Sequence, residues 1–160
     1  MEVYLIQNKG RIAISKESSS RMKEYIQDSR EKLEGGGVLL GRFIIDSKDI
    51  IVDHVTIPMI GDKRSRTSFF RGDSQHQKIV NNWWAKSAGT CNYLGEWHTH
   101  PENYPTPSET DLQGWKEKLK TDKFSSRYLY FIIVGIKELC IWEGDRRKLK
   151  FKKLNSTNEK

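Results

Sequence analysis

Two of the four histidines in this 160-residue chain stand two apart, in Glu96-Trp97-His98-Thr99-His100-Pro101. Residues i and i+2 of a strand point to one face, so both imidazoles of an extended segment can converge on one point. The carboxylate of Asp111 follows at the start of a predicted helix, after a proline-bearing loop, Pro101–Pro107, that lets the chain return. Two imidazole nitrogens and one carboxylate oxygen are the donor set of a tetrahedral zinc site with one position left for water. Catalytic zinc keeps that opening, whereas structural zinc is closed by protein ligands. Zinc lowers the pKa of its water toward about 7, but the proton must still pass to a base and then to the leaving group. Spacing alone does not select that base. Glu96 shares the strand face of His98, Glu102 and Glu109 lie close by, and Glu34 is far away in the chain. Ser108-x-x-Asp111 also reads as a capping box, in which Ser108 accepts a bond from a free helix N–H and fixes where Asp111 points.

The elements that position these residues follow from periodicity and turn signals. Two short apolar runs, Val3–Ile6 and Arg11–Ile14, are split by the turn-like Asn8-Lys9-Gly10. Ser15–Glu31 reads as a helix with Met22, Tyr25, Ile26 and Leu33 roughly on one face, ended by Gly35-Gly36-Gly37. Val38–Ile45 and Ile51–Ile57 read as strands, Ile60–Arg66 as a basic loop, and Thr67–Arg71 as a short strand. Gln75–Ser87 is a predicted helix carrying Ile79, Val80, Trp83 and Trp84, and Cys91–Trp97 is the strand that delivers the histidines. A third helix starts at Ser108, with Leu112, Trp115 and Leu119 on one side. Tyr128–Ile136 is continuously apolar, as a central strand is, and Ile136–Trp142 with Lys148–Leu154 predicts a hairpin around Glu143-Gly144-Asp145. This order implies an α/β fold, a mixed sheet with helices covering its faces.

Composition excludes several function classes. Hydrophobic residues make up 36% and aromatics 11%, which argues against disorder. No apolar run is long enough to cross a bilayer, and MEVYLIQNKG lacks the order of a secretory signal, so a cytoplasmic location is expected. Cys91 and Cys140 are too few for a disulfide scaffold and read as buried packing groups. Of the net charge of +7, the last sixteen residues carry +5. There Lys148, Lys150, Lys152 and Lys153 alternate with Leu149, Phe151 and Leu154, the pattern of an edge strand protected by lysines. A nucleic-acid reader spreads its charge along a helix or groove face, so nucleic acid is not the expected partner. His54 and His76 read as ordinary strand and helix residues, and one of Trp83 and Trp84 as a possible partner contact.

The stretch His98-Thr99-His100, seven residues, Ser108, two residues, Asp111 resembles the motif of the JAMM (MPN+) metalloprotease family, H-[ST]-H-x7-S-x2-D with an upstream glutamate. Leu33-Glu34-Gly35-Gly36-Gly37-Val38-Leu39-Leu40-Gly41 is similar to the family's glycine-rich strand that follows this glutamate. The resemblance spans nearly the whole chain and implies one JAMM/MPN (cytidine-deaminase-like) domain over residues 1–160. It implies one zinc ion (Zn2+) held by His98, His100 and Asp111, with Glu34 as general acid/base and Ser108 stabilising the oxyanion. The implied activity is an isopeptidase that removes ubiquitin or a ubiquitin-like modifier from an amine, taking an extended tail that ends in small residues. The loop Ile60–Arg66, with Lys63, Arg64 and Arg66, lies where such proteins carry a substrate-contacting insertion.

Chain length and the block Gly95-Glu96-Trp97-His98-Thr99-His100-Pro101 look most similar to bacterial members. These include deconjugating peptidases of CBASS antiphage operons, where ubiquitin-transfer-like enzymes attach a CD-NTase-like nucleotidyltransferase to targets. The alternatives are a JAMM peptidase trimming a sulfur-carrier-like protein, a non-catalytic MPN scaffold, and a basic nucleic-acid-binding module. The RadC-like branch is a further neighbour, but no helix-hairpin-helix segment precedes the site here.

Overall fold

The computed structural model describes residues 1–6 and 10–157. The strands are β1 (Glu2–Leu5), β2 (Arg11–Ile14), β3 (Gly36–Phe43), β4 (Ile50–Val55), β5 (Lys63–Arg64), β6 (Phe69–Phe70), β7 (Asn92–Thr99), β8 (Tyr128–Val134), β9 (Leu139–Asp145), β10 (Lys150–Lys153) and β11 (Asn155–Ser156). The helices are α1 (Lys16–Lys23), α2 (Asp73–Lys86) and α3 (Glu109–Thr121). Nine strands form one sheet in the order β10-β9-β8-β7-β3-β4-β2-β1-β11, and β5 and β6 form a separate two-stranded hairpin. Pairing in the large sheet is antiparallel except for β2 with β4 and β7 with β8. The expected mixed sheet with flanking helices is therefore the observed one.

Alternation along the central strands divides the core in two. Leu39, Trp97 and Ile132 face one side and pack with Met22 of α1, Ile14 and Val52. On the other side, Phe131 and Ile133 meet Trp115 and Leu119 of α3, while Val38, Leu40 and Cys91 meet Ile79, Val80 and Trp83 of α2. Trp115 stacks on Phe131 with ring centroids 4.6 Å apart, so α3 is anchored by an aromatic contact near its middle. Since α3 connects the parallel strands β7 and β8, its first turn lies beside the carboxyl end of β7. That crevice is where open α/β sheets bind ligands.

Three sequence expectations need correction. The first helix ends at Lys23 rather than Glu31. Its serine-rich sequence has little intrinsic helicity, and one core residue of α1, Met22, is all that buries an apolar side chain. Beyond it, Gln27 turns inward to polar partners, and Tyr25 packs so closely on Gly35 that a Cβ there would lie 2.7 Å from Tyr25 Cβ. The glycine-rich strand starts two residues early, because Gly36 and Gly37 pair with His98 and Trp97. The last hairpin turns after Asp145, not around Gly144. A Cβ at Gly144 would meet the rings of Phe151 and Phe131 at 2.9 and 3.0 Å, so this glycine makes room for aromatics within β9. Asp145 instead accepts from the Arg147 backbone N–H at 2.9 Å and closes the true turn.

Other readings hold. β10 is a sheet edge carrying Lys150, Lys152 and Lys153, and both cysteines are buried and free. The segment expected as a basic loop, in contrast, carries the strand β5, which pairs with β6. Asn8 and Lys9 of the expected first turn lie outside the described residues. No helix among the described residues is long and apolar enough to cross a membrane.

Candidate metal centre

β7 delivers both histidines at its end, and the structure brings them together with Asp111. The two imidazole Nε2 atoms lie 3.1 Å apart. His98 Nε2 is 3.3 Å from Asp111 Oδ1, and His100 Nε2 is 3.0 Å from Asp111 Oδ2. Donors held about 2.0–2.1 Å from a tetrahedral zinc are about 3.3 Å from one another, so this spacing fits a shared cation. Two imidazole lone pairs facing each other at this distance also require a positive charge between them or a proton on one.

The capping box fixes Asp111. Ser108 Oγ accepts from the Asp111 N–H at 3.1 Å, and Asp111 Oδ2 accepts from the Ser108 N–H at 2.9 Å. Burial raises the Asp111 pKa, but hydrogen bonds from His100 and His98 outweigh it, and the group lies far below the usual carboxylate range. His100 shows the complement. Burial lowers its pKa, and the hydrogen bonds to Asp111 and Glu102 more than reverse that, leaving it raised.

Glu34 sits at the start of the glycine-rich strand and is only 3% exposed. Its donor atom and those of His98 and His100 all lie within 4.8 Å of one another. Burial pushes its pKa up to about 8, with His100 opposing and Asp111 reinforcing the shift. Its backbone is tied to the β5–β6 hairpin, since Glu34 N–H donates to Ser65 O at 2.8 Å and Arg64 Nε donates to Glu34 O at 2.7 Å.

The other carboxylates left open by spacing have different employment. Glu96 pairs with Arg71 at 2.6 Å and with Lys118 at 3.5 Å. Glu109 is an exposed residue of the first turn of α3. Glu102 accepts from His100 Nδ1–H at 2.7 Å, which fixes the tautomer and leaves Nε2 free to bind a cation. This orienting role was missed in the sequence, although a carboxylate two residues after His100 was its signal. Thr99, between the histidines, points to the opposite face and accepts from the Gly35 N–H at 2.9 Å. Gln27 escaped sequence reading altogether, because a polar residue on a presumed helix face carries no signal of burial.

Comparison with known proteins identifies the family of this chain. Residues 22–147 match the family described as prokaryotic homologs of the JAB domain. A Pseudomonas aeruginosa protein named CD-NTase/cGAS isopeptidase is 35% identical over 134 residues, 84% of this chain and 83% of its own. A Vibrio cholerae protein of the same name is 36% identical over 138 residues, 86% of this chain and 85% of its own. The solution structure of protein DSY2949 from Desulfitobacterium hafniense shares the fold, with a TM-score of 0.57 at 21% identity, covering 89% of this chain and 88% of the other. A family match over most of the chain, with relatives above 30% identity along nearly its full length, places the site in a known context: the chain belongs to the prokaryotic branch of the JAB domain family.

Proposed function

We propose that this protein is a zinc-dependent isopeptidase of the JAMM type, one catalytic domain acting in the cytoplasm in CBASS-like antiphage defence. Its substrate is a conjugate in which a ubiquitin-like modifier, or a CD-NTase with a comparable carboxy-terminal tail, is joined to an amine. The observation that carries this reading is the convergence of His98, His100 and Asp111 beside a buried Glu34. The names of the Pseudomonas and Vibrio relatives support the substrate class.

His98 Nε2, His100 Nε2 and an Asp111 oxygen are the ligands in this reading. Zinc held there supplies a water acidic enough to attack at neutral pH and polarises the scissile carbonyl. Asp111 is preferred over Glu34 as third ligand because each of its oxygens already meets an imidazole at 3.0–3.3 Å. Glu34, which a cation held beside it would keep ionised, then takes the proton of the attacking water on a carboxylate oxygen and passes it to the departing amine nitrogen. Burial suits it to hold that proton between the two steps. Glu102 holds the His100 ring, and Ser108, on the family resemblance, stabilises the oxyanion.

The test joins the carboxy terminus of a modifier, or of a CD-NTase, to the lysine ε-amine of an acceptor and follows release with and without a chelator. Zinc-loaded protein is expected to cleave, to stop on chelation and to recover with added zinc. Full activity of metal-free wild-type protein would reject the reading.

A further inference from the structure

Gln27 lies beyond the end of α1, is 1% exposed, and uses both ends of its amide. Its Oε1 accepts from Thr99 Oγ1 at 2.8 Å. Its Nε2 donates to Arg66 O at 2.7 Å and to Lys32 O at 3.2 Å. Each of the three partners adjoins Glu34 or one of its backbone anchors. Lys32 is two residues before it. Arg66 follows Ser65, whose carbonyl accepts the Glu34 N–H. Thr99 binds Gly35 twice, accepting its N–H on Oγ1 and donating its own N–H to Gly35 O, each at 2.9 Å.

We infer that Gln27 is a positioning residue, which sets the Glu34 carboxylate against the two imidazoles by joining the Lys32 segment, the β5–β6 hairpin and the histidine-bearing strand. The inference rests on the proposed isopeptidase reading for its catalytic consequence only. The physical basis is directional. A hydroxyl has one proton, and the carbonyl end of Gln27 takes the one on Thr99, leaving an Oγ1 lone pair aimed at the Gly35 N–H. With the amide removed, that hydroxyl is free to rotate, and the Lys32 and Arg66 carbonyls lose their shared donor. Glu34 would then be placed by the Ser65 and Arg64 contacts and the backbone bond from Thr99 N–H to Gly35 O, without the side-chain tie between these segments. Gln27 touches neither metal ligand nor carboxylate, so its loss leaves the donor set intact.

The experiment compares wild type with Gln27→Met, which keeps the length of the side chain and deletes its hydrogen bonds. Zinc content, amide exchange and steady-state cleavage of the modifier–acceptor fusion are measured on the zinc-loaded proteins. A displaced group costs roughly 10- to 100-fold in turnover, so kcat is expected to fall in that range with KM within about twofold. Zinc stays at one per chain, and the Glu34 and Gly35 amides exchange faster while amides of β8 do not change. An unchanged kcat in folded, zinc-loaded Gln27→Met, or a raised KM at constant kcat, overturns the inference. Should Gln27→Met not fold, Thr99→Ser and Thr99→Val decide. Retained kcat in the serine variant with a loss in the valine variant supports the relay, and equal kcat in both overturns it. If wild type binds zinc and cleaves no conjugate, the isopeptidase reading fails separately, and exchange at Glu34 and Gly35 alone decides on Gln27.

Discussion

His76, Asp62 and Thr56 form a second histidine–aspartate–hydroxyl cluster, which shares its residue types with the site around His98 but not its surroundings. His76 Nε2–H donates to the Asp62 carboxylate at 2.9 Å, and its Nδ1 accepts from Thr56 Oγ1 at 2.6 Å. Thr56 Oγ1 accepts from the Val38 N–H at 2.8 Å, and Asp62 also accepts backbone N–H groups of Met59 and Gly72, each at 2.8 Å. Both the His76 and Asp62 side chains are wholly buried. Every valence in that cluster is filled by protein, so it staples the segment bearing β5 and β6 to α2 and β4 and has nothing left for a ligand. At the other site the two Nε2 atoms point at each other and the Asp111 carboxylate is partly exposed. Accessibility and imidazole lone pairs that face each other separate a candidate metal centre from a structural clasp, and residue types do not.

Breaking each cluster in turn sharpens this contrast. His98→Ala removes one of the three proposed ligands and is expected to abolish zinc binding and lower cleavage by about 10³-fold or more, since a metal held there would supply several kcal/mol of transition-state stabilisation. His76→Ala is expected to keep zinc at one per chain and instead lose about 2–4 kcal/mol of stability, because Asp62 is left buried without its strongest partner. Metal analysis and urea unfolding of both variants check the pair. Loss of zinc from His76→Ala would erase the distinction.

Glu34 gives the next largest effect. Glu34→Gln is expected to retain zinc and lose about 10²- to 10⁴-fold in cleavage, the usual contribution of a positioned acid/base. Retained cleavage would move the proton transfer to another carboxylate. The same variant reports on stability in chelator. Between the ordinary value of 4.5 and about 8, folded protein holds a proton on Glu34 that unfolded chain has released. Stability of the metal-free protein therefore falls as pH rises through that window, by about 2–4 kcal/mol. The raised pKa of His100 acts in the same direction. Asp111, held low, acts oppositely, and its contribution is lost only as pH drops below the ordinary carboxylate range. Urea midpoints across pH 4.5–8.5 should slope downward in wild type and be flatter in Glu34→Gln.

The same contrast explains how far the sequence could be read. The proposed ligands and the capping box lie within fourteen residues, His98 to Asp111, and a strand followed by a helix start fixes their directions almost alone. Apolar runs identified the central strands for a similar reason, since alternation and burial are local signals. The long-range partners were not legible. Glu34 was placed by a family resemblance, and its approach to His98 depends on β3 pairing with β7. The hydrogen bonds that turn Gln27 inward beyond α1 join it to Arg66 and Thr99, residues 39 and 72 positions away. Gly144 read as a turn because its packing against Phe131 and Phe151 is tertiary.

The smallest expected effect concerns the basic edge, which is separated from the chemistry in the sheet order. β10 lies two strands beyond β8 and three beyond β7, which ends between the two histidines. Lys150 and Lys152 are exposed there, opposite Asp145 and Glu143 of β9. Reversing both to glutamate places like charges across the pair, which costs about 0.5–1 kcal/mol. Cleavage and zinc content are expected to be unchanged within twofold. Replacing both lysines by valine should instead leave stability nearly constant and promote concentration-dependent self-association, because an edge without charge offers its free N–H and C=O groups to another sheet. Light scattering of the two variants separates these outcomes. If charge reversal abolished function while chelation left it intact, the basic strand and not the histidine site would be the working surface.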